Sequence, residues 1–497
     1  MNFSMIKYVL ASILCAEGLF FLLPAVVALI YGEDVGWVYL GLALATFAVG
    51  MLGRLRKPKS TSFFAKDGFV AVSLGWILIS LVGAIPFTIT KEIPFYINSL
   101  FETISGFTTT GSSIVNDLTV FTHASLFWRS FTHWVGGMGV LVFIMAVLPL
   151  SGSSSMHMMR AESPGPTVGK LVPKAKNTAK ILYEIYVAIT IIEIIALLIA
   201  GLDWFEASTL TFGTVGTGGF GLVSTSIGGY NVAVQVIITI FMIVCSINFS
   251  IYYLLLIRKP KLVLINEELR WYLIMVFGAG ILITVNVADK FDSIPHAFQT
   301  SMFQVASIAS STGYATADFN AWPAVSKSIL LIIMMIGACA GSTGGGFKMS
   351  RVVIILKSVK NDLFAITHPR VVTKVKVNQK TVTAEVVKKT TAYLGAYVAI
   401  FIVSFLIISI DGKSIETNIS AVAATFNNIG PGMDAVGPTA SFSCYGAISK
   451  FVLMFDMIAG RLEIFPLIVL FTTMFSGTKI KYKRAVKNSQ EIEQDDY

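Results

Sequence analysis

Four short glycine-centred motifs recur along this apolar chain at roughly 100-residue intervals: TTTGSS (108–113), TVGTGGF (214–220), SSTGYAT (310–316) and NNIGPGM (427–433). Each follows a long hydrophobic run, a short polar gap and a half-length apolar segment, and each precedes another long hydrophobic run. Aligned on Gly111, Gly218, Gly313 and Gly430, the upstream stretches INSLFETISGFTTTG, WFEASTLTFGTVGTG, QTSMFQVASIASSTG and ETNISAVAATFNNIG share one texture. Four helix–half-helix–loop–helix units in one chain can close into a ring around an axis, with the glycine loops at its centre.

The chain is 55% hydrophobic and 13% charged, with many runs near the roughly 20 residues that span a bilayer, so we read an all-α polytopic membrane protein. Ten full spans are expected, at about 7–30, 37–53, 68–90, 125–150, 179–201, 230–257, 271–288, 324–357, 389–410 and 441–476. The first is too long and too weakly flanked for a cleavable signal peptide, and reads as a retained helix. Of the 37 Lys and Arg residues, 30 fall on one side of these spans. Five (Lys91, Lys290, Lys327, Lys413 and Lys450) fall on the other, and Arg129 and Arg461 fall within. By the positive-inside rule both termini are cytoplasmic and all four glycine motifs external. The formal charge of +9 is then a topology signal and calls for no nucleic-acid partner.

The repeated units divide the chain at 67–178, 179–266, 267–387 and 388–480, after an accessory transmembrane hairpin over 1–66 and before a polar cytoplasmic tail at 481–497. Cys15, Cys245, Cys339 and Cys444 are scattered, without disulfide or metal-ligand spacing. His123, His133, His157, His296 and His368 show no metal-like spacing and receive no role.

The half-length segments, about 97–107, 205–214, 298–309 and 417–426, are too short to cross a bilayer. A short helix that enters from outside and stops midway aims its C-terminal carbonyls at the membrane interior. The loop that follows must leave carbonyls unpaired, which lipid forbids unless they line water or an ion. Glycine permits positive φ there and keeps side chains out of an ion's path. One such motif alone would more often mark helix packing or a plain turn; four in the same relative place point to a filter. The candidate filter residues are Thr109, Thr110 and Gly111, then Thr217 and Gly218, then Ser311, Thr312 and Gly313, then Asn428, Ile429 and Gly430. A dehydrated monovalent cation is the fitting guest.

On GFTTTGSS (106–113), FGTVGTGGFG (212–221), SSTGYATADF (310–319), NNIGPGM (427–433), GACAGSTGGGFKMSR (337–351) and GRLEIFP (460–466), the chain resembles the Trk/Ktr/HKT superfamily of potassium transporters and, within it, the bacterial TrkH proteins. The resemblance runs over the whole chain. It implies an accessory two-helix hairpin plus four M1–pore loop–M2 repeats around a pseudo-fourfold pore, and a homodimer with one pore per subunit. The filter glycines carry over onto Gly111, Gly218, Gly313 and Gly430, with bound potassium ion as the transported species. Related plant transporters with serine at the first site tend towards sodium, so Gly111 favours potassium. The resemblance also implies a separate cytoplasmic ring of TrkA-type nucleotide-binding regulatory subunits. The basic loops 151–178 and 357–388 and the tail would be its docking surface, although topology and anionic membrane lipid explain those charges equally well.

Gly337, Gly341, Gly344, Gly345 and Gly346 interrupt an otherwise helical run. Five glycines in ten residues do not hold a regular helix, at about 1 kcal/mol per glycine, and GSTGGG lacks the lysine and spacing of a P-loop. A flexible barrier beneath the filter fits, as the resemblance also implies. Arg461 lies well inside the last span, where an unpaired charge is costly and usually functional. In the resembled family the matching arginine projects into the pore; the alternative is a salt bridge with Glu463, Asp456 or Glu184. Arg129 near the outer interface reads as a cap on a pore helix, and Lys348 and Arg351 as surface anchors. Glu102, Glu206, Glu416, Asp318 and Asp434 would either concentrate cations at the mouth or form a solvated rim.

Two other readings remain. A sodium- or proton-coupled symporter would need a coupling carboxylate, and Glu184, Glu193 and Asp456 are the candidates. An intramembrane enzyme would need a nucleophile–base pair or a metal constellation, and neither is found.

Overall fold

Among the described residues, apolar runs broken by capping residues produce a helical bundle with one hairpin of two-residue strands. The computed structural model describes residues 1–56, 58, 64–139, 175–371 and 373–475. The tail, residues 151–174 of the first basic loop and the end of the run expected at 125–150 lie outside the described residues.

Helices α1 (Phe3–Phe20) and α2 (Leu22–Tyr31) form one run, with Pro24 just past the break where its missing N–H interrupts the ladder. Helix α3 (Gly36–Leu55) packs along them. A Cβ on Gly18 would lie 2.7 Å from Phe47 N and one on Gly50 2.7 Å from Cys15 N, so glycine sets the close approach of this hairpin.

Four similar units follow. The first is α4 (Ala65–Gly83), α5 (Ile85–Ile89), α6 (Tyr96–Phe107) and α7 (His123–Gly137). The second is α8 (Ala175–Ile199), α9 (Trp204–Val215), α10 (Val232–Cys245) and α11 (Phe249–Leu256), with α12 (Pro260–Leu264) as its exit. The third is α13 (Glu267–Val287), α14 (Ile294–Ala309), α15 (Ala324–Ile336) and α16 (Met349–Thr367). Strands β1 (Lys376–Val377) and β2 (Lys380–Thr381) pair antiparallel before the fourth unit. That unit is α17 (Ala384–Ile408), α18 (Ile415–Phe426), α19 (Ala447–Leu462) and α20 (Ile464–Phe475).

The half-length helices α6, α9, α14 and α18 hold 12, 12, 16 and 12 residues. At about 1.5 Å per residue, 12 residues reach about 18 Å and stop inside a core about 30 Å thick. Asp203, Ser293 and Ser414 cap the last three, their side chains accepting from the backbone N–H three residues on.

Three of the ten expected spans need correction, and the end of a fourth, 125–150, lies outside the described residues. Among the described residues six helices are long and apolar enough to cross, or seven if α10 and α11, bent by 90°, count as one. The breaks lie in the second helices of units two, three and four. α7 stops at Gly137, α10 and α11 part at Ser246–Asn248, α15 and α16 part over Gly337–Lys348, and α19 and α20 part at Glu463, whose φ is +64°. Hydropathy cannot register such breaks because the residues on either side stay apolar.

Candidate functional site

The C-terminal turn of each half-length helix ends in one recurring conformation. A left-handed residue (Thr109, Thr217, Ser311, Asn428; φ +53° to +57°) is followed by one ordinary residue and then a left-handed glycine. The intervening residue donates its N–H to the carbonyl five residues back: Thr110 to Ser105, Gly218 to Gly213, Thr312 to Ser307 and Ile429 to Ala424, each at 2.8–2.9 Å. The left-handed glycines are Gly111, Gly219, Gly313 and Gly430, with φ of +79°, +79°, +86° and +101°.

This register corrects the alignment of the second motif. Gly218 matches Thr110, Thr312 and Ile429, and Gly219 is the counterpart of Gly111. TVGTGGF offers two adjacent glycines, and sequence texture cannot choose between them.

The four loops close on one another in order. A Cβ on Gly111 would lie 2.0 Å from Gly218 O, and one on Gly219 1.9 Å from Thr312 O. One on Gly313 would lie 2.0 Å from Ile429 O, and one on Gly430 2.8 Å from Thr110 O. Each unit's glycine therefore abuts the carbonyl of the next, and the fourth returns to the first. A cavity of about 210 Å³ touches all four of these glycines. The buried Thr109 Oγ1 and Asn428 Oδ1 have no hydrogen-bond partner among the described residues.

Side chains lock the seams. Ser112 Oγ donates to Gly430 O at 2.8 Å and Phe442 N to Ser113 O at 2.9 Å, joining units four and one. Asn320 bonds both backbone groups of Asp434, joining three and four. Arg129 is a buried brace, not a helix cap. Its Nε lies 2.6 Å from Glu102 Oε1, its Nη1 donates to Gly221 O at 3.0 Å, and its guanidinium lies 3.6 Å from the Phe220 ring centroid. Glu102 also accepts from Ser113 Oγ and Ile114 N.

Removing either partner strands a buried charge, at a cost of about 3–5 kcal/mol. Arg129→Gln and Glu102→Gln should each lower the midpoint of a heating series on detergent-solubilised protein. The double variant should lose much less than the two losses added; additive losses would mean the pair is uncoupled.

The mouth acids hold local partners as well. Glu416 pairs with Lys327 at 2.8 Å, Glu206 accepts from Tyr230 at 3.3 Å, and Asp318 caps Asn320 N at 3.0 Å. Ser414 and Thr417 hydroxyls, 2.5 and 2.6 Å from Asp434, hold its carboxyl below the usual carboxylate range.

On the other side of the ring, the end of α7, the break between α10 and α11 and the end of α19 converge on the 337–348 loop that parts α15 from α16. Gly345 N donates to Ser311 Oγ at 2.5 Å, and Cβ atoms on Gly344 and Gly345 would lie 2.7 Å from Ser310 O and 2.6 Å from Asn427 O. Cys339 N bonds Ser246 O, Thr343 Oγ1 bonds Cys245 O, and Phe249 N bonds Gly341 O. Gly337, Gly341 and Gly346 take positive φ.

Arg461 completes the convergence by donating to Thr343 O, Gly136 O and Gly137 O, each at 2.6 Å. It thereby ties the loop to the ends of α7 and α19. Of the three acids that the sequence offered it, Glu463 pairs with Arg351, Asp456 accepts from Ser404 and Glu184 lies beside Lys180. Lys348 and Arg351 are not surface anchors: both are buried. Lys348 Nζ donates to Gly344 O and Gly345 O inside the loop, and Arg351 reaches Phe347 O and stacks on Tyr393. Glu268 joins the loop to the start of α16 by accepting from Ala340 N at 2.7 Å and Ser350 N at 3.1 Å. Sequence reasoning passed over Glu268, since its signal is only an acid at a helix start.

A family profile described as "TrkH: Cation transport protein" matches residues 38–482. The chain is 33% identical over 461 residues to the "Trk system potassium uptake protein TrkH" of Escherichia coli K12, covering 91% of this chain and 95% of that one. It is 31% identical over 489 residues to the protein of the same name from Halomonas elongata, covering 96% and 99%. The structure resembles the crystal structure of the potassium transporter TrkH from Vibrio parahaemolyticus, with a TM-score of 0.85, 30% identity, and coverage of 96% of this chain and all of the other.

Proposed function

Since this chain belongs to the TrkH family of cation transport proteins, we propose that it takes up potassium across the bacterial inner membrane through a channel-like pore. The filter is the ring of backbone at Thr109–Gly111, Thr217–Gly219, Ser311–Gly313 and Asn428–Gly430. The observation that carries this reading is the ring's closure, each left-handed glycine seated on the carbonyl of the next unit. Carbonyl dipoles packed that closely can replace the hydration shell of a monovalent cation without holding it too tightly to leave. Helix C-termini aimed at the ring add negative potential, and the unpartnered Thr109 and Asn428 oxygens supply further acceptors.

The 337–348 loop is the barrier, and Arg461 fastens it. Both termini and the basic loops lie in the cytoplasm, where a TrkA-type nucleotide-binding ring docks and moves the loop; two chains assemble as a homodimer. A coupled symporter has less in its favour. Of its three candidate carboxylates, Glu184 is exposed beside Lys180, Asp456 is buried against Ser404, and Glu193 is buried with neither oxygen hydrogen-bonded among the described residues.

The test is cation flux into liposomes holding the purified protein under potassium or sodium gradients. Potassium-selective flux that loses selectivity in Gly111→Ser is expected, because a Cβ there meets Gly218 O. Flux indifferent to that substitution, or dependent on a proton or sodium gradient, would overturn the filter in favour of symport.

A further inference from the structure

The second unit departs from a pattern that the others keep, and α7 of the first unit fills the gap. In units one and three, the residue before the left-handed glycine carries a hydroxyl bonded to the hydroxyl two residues earlier. Thr110 meets Thr108 at 2.8 Å and Thr312 meets Ser310 at 2.7 Å. Unit four has the buried side chains of Asn427 and Ile429 in those places. The matching residues of unit two are Gly216 and Gly218, which have no side chain to hold the turn from behind.

The His133 ring occupies the place at 218, and the α7 backbone at the same residue closes the place at 216. A Cβ on Gly218 would lie 2.1 Å from the His133 ring, and one on Gly216 2.5 Å from its carbonyl oxygen. Neither glycine has positive φ. The imidazole, and not the backbone conformation, therefore excludes a side chain at 218.

The ring is fully buried and uses both nitrogens. Nδ1 lies 2.7 Å from Gly106 O, which can only accept, so Nδ1 carries the proton. The Phe220 N–H donates to Nε2 at 3.3 Å. His133 thus connects the last turn of α6 to the residue immediately after Gly219. One turn earlier on the same face of α7, Arg129 also packs on Phe220, its guanidinium 3.6 Å from that ring's centroid.

We infer that His133 is a positioning residue for ion selectivity: neutral and protonated on Nδ1, its ring takes the place of the side chain missing at 218 and sets where the Gly218–Gly219 backbone stands in the ring. The inference rests on the filter reading above. Arg129, Glu102 and the fold bring the ring and α7 together, while His133 decides the last contact to the loop.

The test measures potassium-over-sodium flux in liposomes for His133→Phe, His133→Gln, Gly218→Thr and Gly218→Thr/His133→Ala, with Gly111→Ser alongside. Phenylalanine keeps the ring volume and removes both hydrogen bonds; glutamine can still present an acceptor to the Phe220 amide. His133→Phe should lose selectivity by about tenfold, the scale of one buried amide left unpaired, while His133→Gln keeps most of it. Gly218→Thr should lose selectivity, and the double variant should regain it, because the threonine then fills the space the imidazole vacates.

Wild-type selectivity in His133→Phe, equal loss in the phenylalanine and glutamine variants, or a double variant no better than Gly218→Thr alone would overturn the inference. If His133→Phe does not yield a monodisperse protein, the double variant decides. Loss in Gly111→Ser with none in His133→Phe defeats the role of His133 alone. Indifference to Gly111→Ser defeats the filter reading and this inference with it.

Discussion

A Gly219→Ala protein is expected to lose potassium uptake by at least about tenfold at equal membrane abundance, since two separate penalties act on one methyl group. Left-handed backbone costs a non-glycine residue roughly 1–2 kcal/mol, and about 1.4 kcal/mol is already tenfold in an equilibrium. The Cβ would also sit 1.9 Å from Thr312 O, a backbone atom that cannot swing aside as a side chain would. The third unit's loop must move, and with it the contact from Gly313 to Ile429 O. Gly229→Ala is the matched control. Its Cβ meets only Thr225 Oγ1 at 3.4 Å and its φ is not positive, so uptake should stay near wild type. Complementation of a potassium-uptake-deficient strain at limiting potassium, with quantified membrane protein, reads both. Normal growth on Gly219→Ala would mean that the ring does not conduct. The adjacent Gly218→Ala differs in kind: its obstacle is the His133 ring, so a smaller residue at 133 should relieve it, whereas no side-chain change relieves Gly219→Ala.

The second large effect runs in the opposite direction. Arg461→Ala removes three hydrogen bonds from a charged donor to backbone carbonyls, which hold Thr343 of the 337–348 loop against Gly136 and Gly137 at the end of α7. Even one such bond is worth about 1.5–3 kcal/mol, which moves a closed-to-open balance by about tenfold or more. Liposome flux should therefore rise about tenfold while the potassium-to-sodium ratio holds, because these three acceptors lie in the loop and α7 and not in the ring. Arg461→Lys should fall between, since one ammonium cannot reach all three carbonyls in the fork that a guanidinium makes. Unchanged or reduced flux in Arg461→Ala would show that the arginine does not fasten a barrier. The same construction predicts why the loop needs its neighbours. Lys348 and Glu268 satisfy carbonyls and amides that irregular backbone leaves open at this depth.

Membrane class and four half-length helices were legible in the residues alone, because hydropathy and capping chemistry act along the chain over a turn or two. The half-length segments inferred at 97–107 and 205–214 lie inside α6 and α9. The breaks in the second helices were not legible outside the third unit. Five glycines announce the Gly337–Lys348 break, whereas Ser246–Asn248 and Glu463 look like ordinary helix to any local reading. Arg129, Lys348 and Arg351 were misplaced for a related reason. Each reads locally as a charge seeking water or a helix end; Arg129 and Arg351 instead find the carboxylates of Glu102 and Glu463 from distant segments, and Lys348 turns inward onto the carbonyls of its own loop.

The order of residues thus decides what each segment must become: apolar runs become helices, and serine, threonine or aspartate starts them. Glycine frees the loop between. It leaves open which of two adjacent glycines turns left-handed, because that depends on a carbonyl delivered by another unit about a hundred residues away. Gly219 rather than Gly218 meets Thr312 O, and Gly218 meets His133, only once four units have closed on one another. Local propensity sees neighbours in sequence; the ring, the brace and the latch are made of neighbours in space.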